Sequence, residues 1–380
     1  MTYIFWFSVC VLIYTYLGYP LYVTIRARFF PNPVKKDTNF KPSVSVIISV
    51  YNESQSIKSK IDNLLSLDYP KEKIEILTGS DASTDSTNDI LKHISDKKVS
   101  FFAFPSRRGK ASVLNDLIGR ANGEILVFCD ARQIFDKCAI SHLVANFTDK
   151  KVGCVSGELN FDHNPDDNGV SEGIGVYWDY EKLIRKNESA VHSMVGATGA
   201  IYAIRKELYN PLPKDTILDD VYIPLSIARL GYRCIWDYKA KAYDKPVSTP
   251  EMEYRRKVRT LAGNYQIFGV FKDMLIPFKN PVAVPFISHK LLRVLSPIFM
   301  ISAFISNIFV RNNNFYSLIL FAQIVFYILA VIGGITCKYK NKGILRKVSS
   351  TIYMFCLLNV TALAGLYRFL QRKQSIVWEK

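Results

Sequence analysis

KPSVSVIISVYNE, Lys41 to Glu53, is the stretch whose reading decides the fold. Its core VSVIISV (Val44–Val50) has the length and β-branched content of a strand buried on both faces, and it passes at once into the polar triplet Tyr51-Asn52-Glu53. Working outward, Ile74–Leu77, Val99–Phe104 and Ile125–Cys129 read as further buried strands. Ser56–Leu67, Ser86–Ser95 and Ala111–Arg120 read as the helices between and after them. Strand–helix alternation at this spacing implies a doubly wound, mostly parallel α/β sheet with right-handed crossovers.

In such sheets the ligand crevice lies beyond the carboxyl ends of the strands, so the residues just after each strand are the candidates for chemistry. Here they are Tyr51-Asn52-Glu53, the run GSDASTD (Gly79 to Asp85), Arg107-Arg108-Gly109-Lys110 and Asp130-Ala131-Arg132. Asn, Asp, Ser and Gly are common at strand ends for backbone reasons, and Asn52 and Asp85 are read that way. Four consecutive strands that all end in ligand-type groups are harder to assign to turns alone. Further along, Asp219-Asp220 precede Gly231-Tyr232-Arg233 and the cluster Arg255-Arg256-Lys257-Val258-Arg259. A base and fixed cations near one point suit a reaction that deprotonates a hydroxyl and expels a phosphate. The acid pair also fits the first turn of a helix over Val221–Leu230, where the macrodipole favours negative charge.

The 380 residues carry a net charge of +16 on a chain that is 49% hydrophobic. No RGG tract, zinc-finger spacing or RNP-like segment accompanies that charge, which argues against nucleic acid as the partner. Much of it flanks apolar segments. Met1 to Ile25 hold no charged side chain, enough at about 1.5 Å per residue to cross a hydrocarbon core of about 30 Å. Arg26, Arg28, Lys35 and Lys36 follow that run, the order of a membrane anchor whose C-terminal end is cytoplasmic. Three more apolar runs are Val294–Val310, Phe315–Thr336 and Val348–Leu370, the first two joined as a hairpin by Arg311–Asn314. Lys338, Lys340, Lys342, Arg346 and Lys347 place the next link in the cytoplasm. Four crossings put the tail outside, whereas Arg368, Arg372, Lys373 and Lys380 place it inside, and the sequence leaves that conflict open. Seven scattered cysteines without C-x-x-C spacing fit a reducing compartment and neither a disulfide framework nor a zinc site.

The segments VSVIISVYNE, SDASTDST, RRGKASVLND, FCDAR, GATGAIYAIR, LDDVYIPLSIARLGYR and RRKVRT occur in the order seen in family 2 glycosyltransferases of the GT-A fold. From Lys41 to Gln266 the chain resembles the membrane-embedded branch that includes hyaluronan, cellulose and poly-N-acetylglucosamine synthases. The resemblance implies a transmembrane anchor (1–29), a cytoplasmic GT-A domain (41–264), an interfacial amphipathic segment (265–288) and a C-terminal membrane region (289–380). It implies that Tyr51, Glu53 and Asp81 hold the nucleotide and that Lys110 reaches the diphosphate as a point charge. Asp130 matches the first acid of the family's metal-binding D-x-D, which implies Mg²⁺ or Mn²⁺. Arg132 replaces the second acid, and either complements phosphate charge or points away.

Asp220 matches the catalytic base, with Asp219 at the preceding acid. Arg256 and Arg259 fall on the Gln and Arg of the family's Q-x-x-R-W, whose Trp is Thr260 here, leaving elongation and acceptor open. Arg255 and Lys257 are read as surface charges at the membrane. Gly196-Ala197-Thr198-Gly199 aligns with the small-residue loop near the acceptor, while Tyr177 and Trp178 are read as core first and sugar platform second. Tyr265–Pro277 is read as an amphipathic helix in the membrane interface. The expected activity is inverting transfer from a nucleotide sugar, a UDP-sugar, to a growing polysaccharide or lipid-linked acceptor, at the cell membrane with the catalytic domain cytoplasmic. Expected partners are that donor, a saccharide or lipid-linked acceptor, the lipid bilayer, and export or accessory subunits. Single addition to a polyprenyl phosphate, or a decayed sugar-nucleotide-binding export subunit, are the competing readings.

Overall fold

The computed structural model describes residues 1–161, 169–244, 250–277, 280–311, 313–336 and 344–371. Lys338, Lys340, Lys342, Arg372, Lys373 and Lys380 lie outside the described residues. The centre is one sheet built from β1 (Val44–Val50), β2 (Ile74–Asp81), β3 (Val99–Phe104), β4 (Ile125–Phe128), β5 (Ile134–Phe135), β6 (Val152–Phe161), β7 (Tyr202–Arg205) and β8 (Arg233–Asp244). Its spatial order is β3-β2-β1-β4-β7-β6-β8-β5. The pairs β3–β2, β2–β1 and β1–β4 are parallel, as the alternation predicts. Beyond β4 the sheet becomes mixed: β4–β7, β6–β7 and β5–β8 are antiparallel, and β6–β8 is parallel.

Every residue of β1 is buried, as befits a central strand covered on both faces. One apolar layer holds Val46, Ile48, Ile57, Ile61 and Leu64, with the helix Ile57–Leu65 lying on the sheet. The opposite layer holds Ile47, Leu77, Val113, Leu114 and Leu117, under the helix Lys110–Ile118. The first of these helices starts one residue and stops two residues inside the expected Ser56–Leu67, and the second starts one residue before and stops two residues before the expected Ala111–Arg120.

Four helices are long and apolar enough to cross a membrane: Thr2–Phe29, Ala283–Val310, Asn314–Thr336 and Lys347–Leu370. They leave large apolar side chains exposed, among them Phe7, Leu17, Leu318, Phe321 and Val331. Surfaces of that kind need an apolar surround. The first helix runs antiparallel to the second. Trp6 Nε1 donates to the Tyr316 hydroxyl at 3.2 Å near the hairpin link, Phe7 meets Phe299, and the Tyr14 and Ser288 hydroxyls are 2.7 Å apart. Phe29 and Ala283 therefore lie at the same end, next to the sheet domain.

Two joints tie membrane helices to that domain. In the first, Tyr19 and Val23 pack on Ile184 of the helix Gly169–Val191, and the Tyr180 hydroxyl donates to the Tyr16 carbonyl at 2.8 Å. In the second, the helix Ile344–Leu370 lies on the helix Pro250–Val270. The expected amphipathic helix Tyr265–Pro277 is not a separate element. Its first part continues Pro250–Val270, and a 3₁₀ turn, Lys272–Leu275, follows. Its apolar residues Tyr265, Ile267, Phe268, Phe271 and Met274 are buried because domain and membrane helices both face them: the Tyr265 hydroxyl meets the Val294 and Ala362 carbonyls at 3.3 Å, Phe268 packs on Phe286, and Phe271 packs on Tyr222.

The second joint depends on Gly365, where an added Cβ would sit 2.9 Å from the Ala262 backbone nitrogen. Gly365→Leu is expected to destabilise the chain by about 1–3 kcal/mol through overpacking. Gly269→Ala, on the same domain helix but with nothing within 4 Å, is expected to be neutral or to stabilise by about 0.5–1 kcal/mol. Thermal unfolding in detergent micelles compares the two, and equal effects would show that the joint does not depend on this close approach.

Candidate active site

The loop after β3 turns through Gly109, whose φ of 85° is a conformation that favours glycine. Both carboxylate oxygens of Asp81, at the end of β2, hold that loop: Oδ1 accepts from the Arg108 N–H at 2.7 Å and Oδ2 from the Gly109 N–H at 2.9 Å. Asp81 thus shapes the turn from which Lys110 opens its helix. The Lys110 ammonium then reaches across the crevice to two acids, 3.2 Å from Asp130 Oδ1 and 3.2 Å from Asp219 Oδ1. Burial opposes its charge, but Asp130, Asp219 and Asp220 outweigh that and raise its pKa.

Asp219 and Asp220 open the helix Asp219–Arg229, where the backbone N–H groups of a first turn favour anions. Asp219 is buried, with the Tyr202 hydroxyl 3.4 Å from Oδ2. The Asp220 carboxyl is pushed up to about 6, first by burial and next by the Asp219 charge, against the pull of Lys110 and Lys290. Its backbone carbonyl accepts from the Ala197 N–H at 2.7 Å. The small-residue loop 196–199 therefore lies directly against the acid pair. A Cβ at Gly199 would come within 2.9 Å of Asp220 Oδ2, so only glycine leaves that carboxylate its place.

Other candidates are distributed around this cluster. The Arg107 guanidinium lies over the Tyr51 ring at 3.7 Å, covering one of its faces. The Glu53 N–H donates to Thr87 Oγ1 at 2.8 Å, and its side chain is half-buried. Asn52 and Asp85 join turns: the Thr84 N–H donates to Asn52 Oδ1, and Asp85 accepts the N–H groups of Ser54 and Thr87.

Arg132 is held in a two-pronged pair with Asp244, Nε to Oδ1 at 3.0 Å and NH2 to Oδ2 at 2.8 Å. Gln133 adds a third bond to the same carboxylate. Asp130 keeps one oxygen on Lys110, and its side chain is 40% exposed. A half-exposed carboxylate at a strand end is a hard oxygen donor of the type Mg²⁺ or Mn²⁺ prefers. Among the described residues no group of three or more His, Cys, Asp or Glu is placed to hold a metal ion unaided.

Arg256 and Arg259 lie one turn apart on the helix Pro250–Val270, Arg256 exposed and Arg259 half-buried. Gly263, one turn beyond Arg259, packs on Leu218 immediately before the acid pair, and the Ile217 N–H donates to Gln266 Oε1. The helix thus runs beside Asp219 and Asp220. Lys257, read as a solvated charge, instead has its ammonium 5.0 Å from the centre of the Tyr177 ring. Trp178 is half-buried against Phe161, with Arg185 6.0 Å from its ring centre.

One group escapes a reading by motif. The helix Gly169–Val191 offers Glu181 and Glu188 to His289 of the second membrane helix: Nε2 is 3.1 Å from Glu181 Oε2 and Nδ1 is 2.9 Å from Glu188 Oε1. Arg293 pairs with Glu181, and the Tyr19 hydroxyl donates to Glu188 at 2.6 Å. Arg185 adds a hydrogen bond to Thr198 Oγ1 at 3.0 Å, linking this network to the loop beside Asp220. The signal in the sequence is His289, Lys290 and Arg293 at the head of an apolar run, where ionisable residues are costly.

Comparison with known proteins matches this geometry. Residues 45–210 match Glycosyl transferase family 2. The probable glycosyltransferase YdaM of Bacillus subtilis is 25% identical over 249 residues, 63% of this chain and 59% of that protein. The poly-β-1,6-N-acetyl-D-glucosamine synthase of Staphylococcus aureus is 24% identical over 270 residues, 66% of this chain and 65% of that protein. The matched stretch thus spans less than two thirds of either relative. A mannosyltransferase from Pyrobaculum calidifontis, solved in complex with GDP-Man and Mn²⁺, superposes with a TM-score of 0.73 at 22% identity over 97% of this chain and 99% of that one, a likeness of fold. The strand-end crevice, the acids gathered at it and the matched sequence make residues 45–210 a glycosyl transferase family 2 domain of GT-A fold, carried between membrane-length helices.

Proposed function

We propose that this chain is an inverting membrane glycosyltransferase that moves a sugar from a nucleotide-sugar donor, a UDP-sugar, to a saccharide or lipid-linked acceptor. The observation that carries this reading is the Lys110 ammonium held between Asp130 and Asp219 at the strand ends, with Asp220 beside it. Tyr51, Glu53 and Asp81 flank the nucleotide, with the Arg107 guanidinium over one face of the Tyr51 ring. Lys110, Arg259 and Arg256 face the departing diphosphate and stabilise the charge that develops on it. Asp130 would hold a divalent ion, Mg²⁺ or Mn²⁺, which would supply Lewis-acid stabilisation of the departing diphosphate. Asp220 takes the proton from the acceptor hydroxyl, whose oxygen bonds to the anomeric carbon as the bond to the diphosphate breaks. Asp219 keeps Lys110 in place.

The acids Asp81, Asp130, Asp219 and Asp220 stand together with Lys110, and Arg132 is occupied by Asp244, which favours a working site over a decayed subunit. Membrane-length helices, with Arg26 and Arg28 at the domain end of the first, support a multi-pass protein of the cell membrane with this domain in the cytoplasm.

Three predictions test the site, all read as release of nucleoside diphosphate from a panel of nucleotide sugars. A base with a pKa of about 6, set by burial and by Asp219 against Lys110 and Lys290, is ionised above that pH and protonated below it. Turnover should therefore fall roughly tenfold per unit below pH 6 and level off above it, and Asp220→Asn should cost at least about 10²-fold with nucleotide binding retained. A flat profile in the wild type, or a fully active variant, would remove Asp220 from the role.

Gly199→Ala should displace the Asp220 carboxylate and lower kcat, while nucleotide affinity and melting temperature stay near wild type. An unchanged kcat would mean that the 2.9 Å approach is relieved without moving the base. EDTA should abolish transfer, Mn²⁺ or Mg²⁺ should restore it, and Asp130→Ala should stay inactive in excess metal. Activity that persists in EDTA but is lost in Arg132→Ala would mean instead that the arginine supplies the charge.

A further inference from the structure

Among the described residues, Lys290 is a cation beside the acid pair with no hydrogen bond or ion pair of its own. It lies in a π-helical turn, Phe286–Leu291, of the second membrane helix, a local geometry often found at functional positions. This turn directs three successive side chains to three places: Ser288 to Tyr14, His289 to Glu181 and Glu188, and Lys290 to the loop at Gly196. A Cβ built on Gly196 would be 3.8 Å from Lys290 Nζ and 3.7 Å from the Asp220 carbonyl oxygen. The ammonium therefore stands at the acceptor side of the acid pair.

The acids nearby are already engaged. Glu181 faces His289, Arg293 and Arg185, and Glu188 faces His289 and Tyr19. Among the described residues Lys290 makes no hydrogen bond or ion pair, although it is only partly exposed. Asp220 feels the Lys290 charge only at a distance, and a half-buried ammonium with no direct partner gains from an anion that reaches it. Arg185, held on Thr198 at 3.0 Å, presents a second cation at the other end of the same loop.

Resting on the glycosyltransferase reading, we propose that Lys290 and Arg185 form a binding site for a phosphoryl group carried by the acceptor. A carboxylate is neutralised by one cation, whereas a phosphoryl group carries charge for two and accepts both a point charge and a guanidinium fork. Lys290 is mounted on a membrane helix, so an acceptor anchored in the bilayer brings its phosphoryl group to this position. The acceptor hydroxyl then faces Asp220 while the phosphoryl group stays on Lys290. The site does not overlap the donor's diphosphate, which belongs to Lys110 and Asp130.

The test uses the full chain in detergent micelles, with a nucleoside diphosphate and Mn²⁺ saturating the donor site. Farnesyl diphosphate and farnesol, which share a chain and differ in the phosphoryl groups, are titrated and binding is measured by calorimetry. Farnesyl diphosphate should bind at least about tenfold more tightly, as charge-assisted contacts require. Lys290→Gln should erase that difference, Lys290→Arg should retain it, and nucleotide affinity should report that each variant is folded. Inorganic pyrophosphate that competes as well as farnesyl diphosphate would assign the phosphoryl group to a soluble acceptor. Failure to compete would assign it to a lipid, and either result supports the site. Equal binding of the two farnesyl probes, or a difference that survives Lys290→Gln, would overturn it. Because binding is measured without turnover, that failure would leave the transferase reading standing, and loss of transfer with binding intact would do the reverse.

Discussion

A single ammonium, that of Lys110, holds together parts of the chain that are far apart in sequence. It lies between Asp130, at the end of β4, and Asp219, at the start of the helix Asp219–Arg229. The Asp219 end of this arrangement is nearly closed to solvent. Removing one partner from a buried pair costs about 3–5 kcal/mol, because the remaining charge is stranded. The cluster therefore sets where the β4 end and the acid-pair helix stand relative to each other, and the crevice geometry follows. Asp81 contributes indirectly, by spending both oxygens on the loop that launches Lys110.

The same cluster sets the acid–base character of the site. Asp219 and Asp220 are neighbours in one first turn, but only Asp219 has Lys110 within ion-pair distance. At Asp220 burial and the like charge of Asp219 outweigh the pull of Lys110 and Lys290, and its carboxyl rises to about 6, where it is still ionised at neutral pH yet binds a proton more readily than an exposed one. Two carboxylates in one turn thus stand in different surroundings, one in contact with Lys110 and the other feeling it at a distance.

Membrane helices enter this arrangement as structural parts of the site. His289 joins two glutamates of a domain helix, Gly365 brings another membrane helix against the helix of Arg256 and Arg259, and Lys290 reaches the loop beside Asp220. Ionisable groups at the head of a membrane helix are expensive unless they pair, and here His289 and Arg293 pair with glutamates of the domain. Sheet domain and membrane-length helices consequently share one polar network, which reaches the loop beside Asp220.

The parallel half of the sheet was legible in the sequence, because strands buried on both faces advertise themselves locally: VSVIISV needs no distant partner to be read as a strand. The membrane-length helices and the ligand-type residues at the strand ends were legible for the same reason. What lay beyond reach depended on contacts across long separations. What Arg132 pairs with is decided by Asp244, 112 residues on, whose buried carboxylate takes both prongs of the guanidinium. Lys257 reads as one surface charge among several until Tyr177 is seen beneath it. The mixed half of the sheet arises from pairings such as β4–β7 and β5–β8, which local periodicity does not encode. Lys290 stands in a membrane segment by sequence and in the active-site wall by structure, since only the packed π-helical turn carries it there. Local pattern determined which elements form and which chemistry they carry, whereas packing and charge pairing in three dimensions decided which of those groups meet.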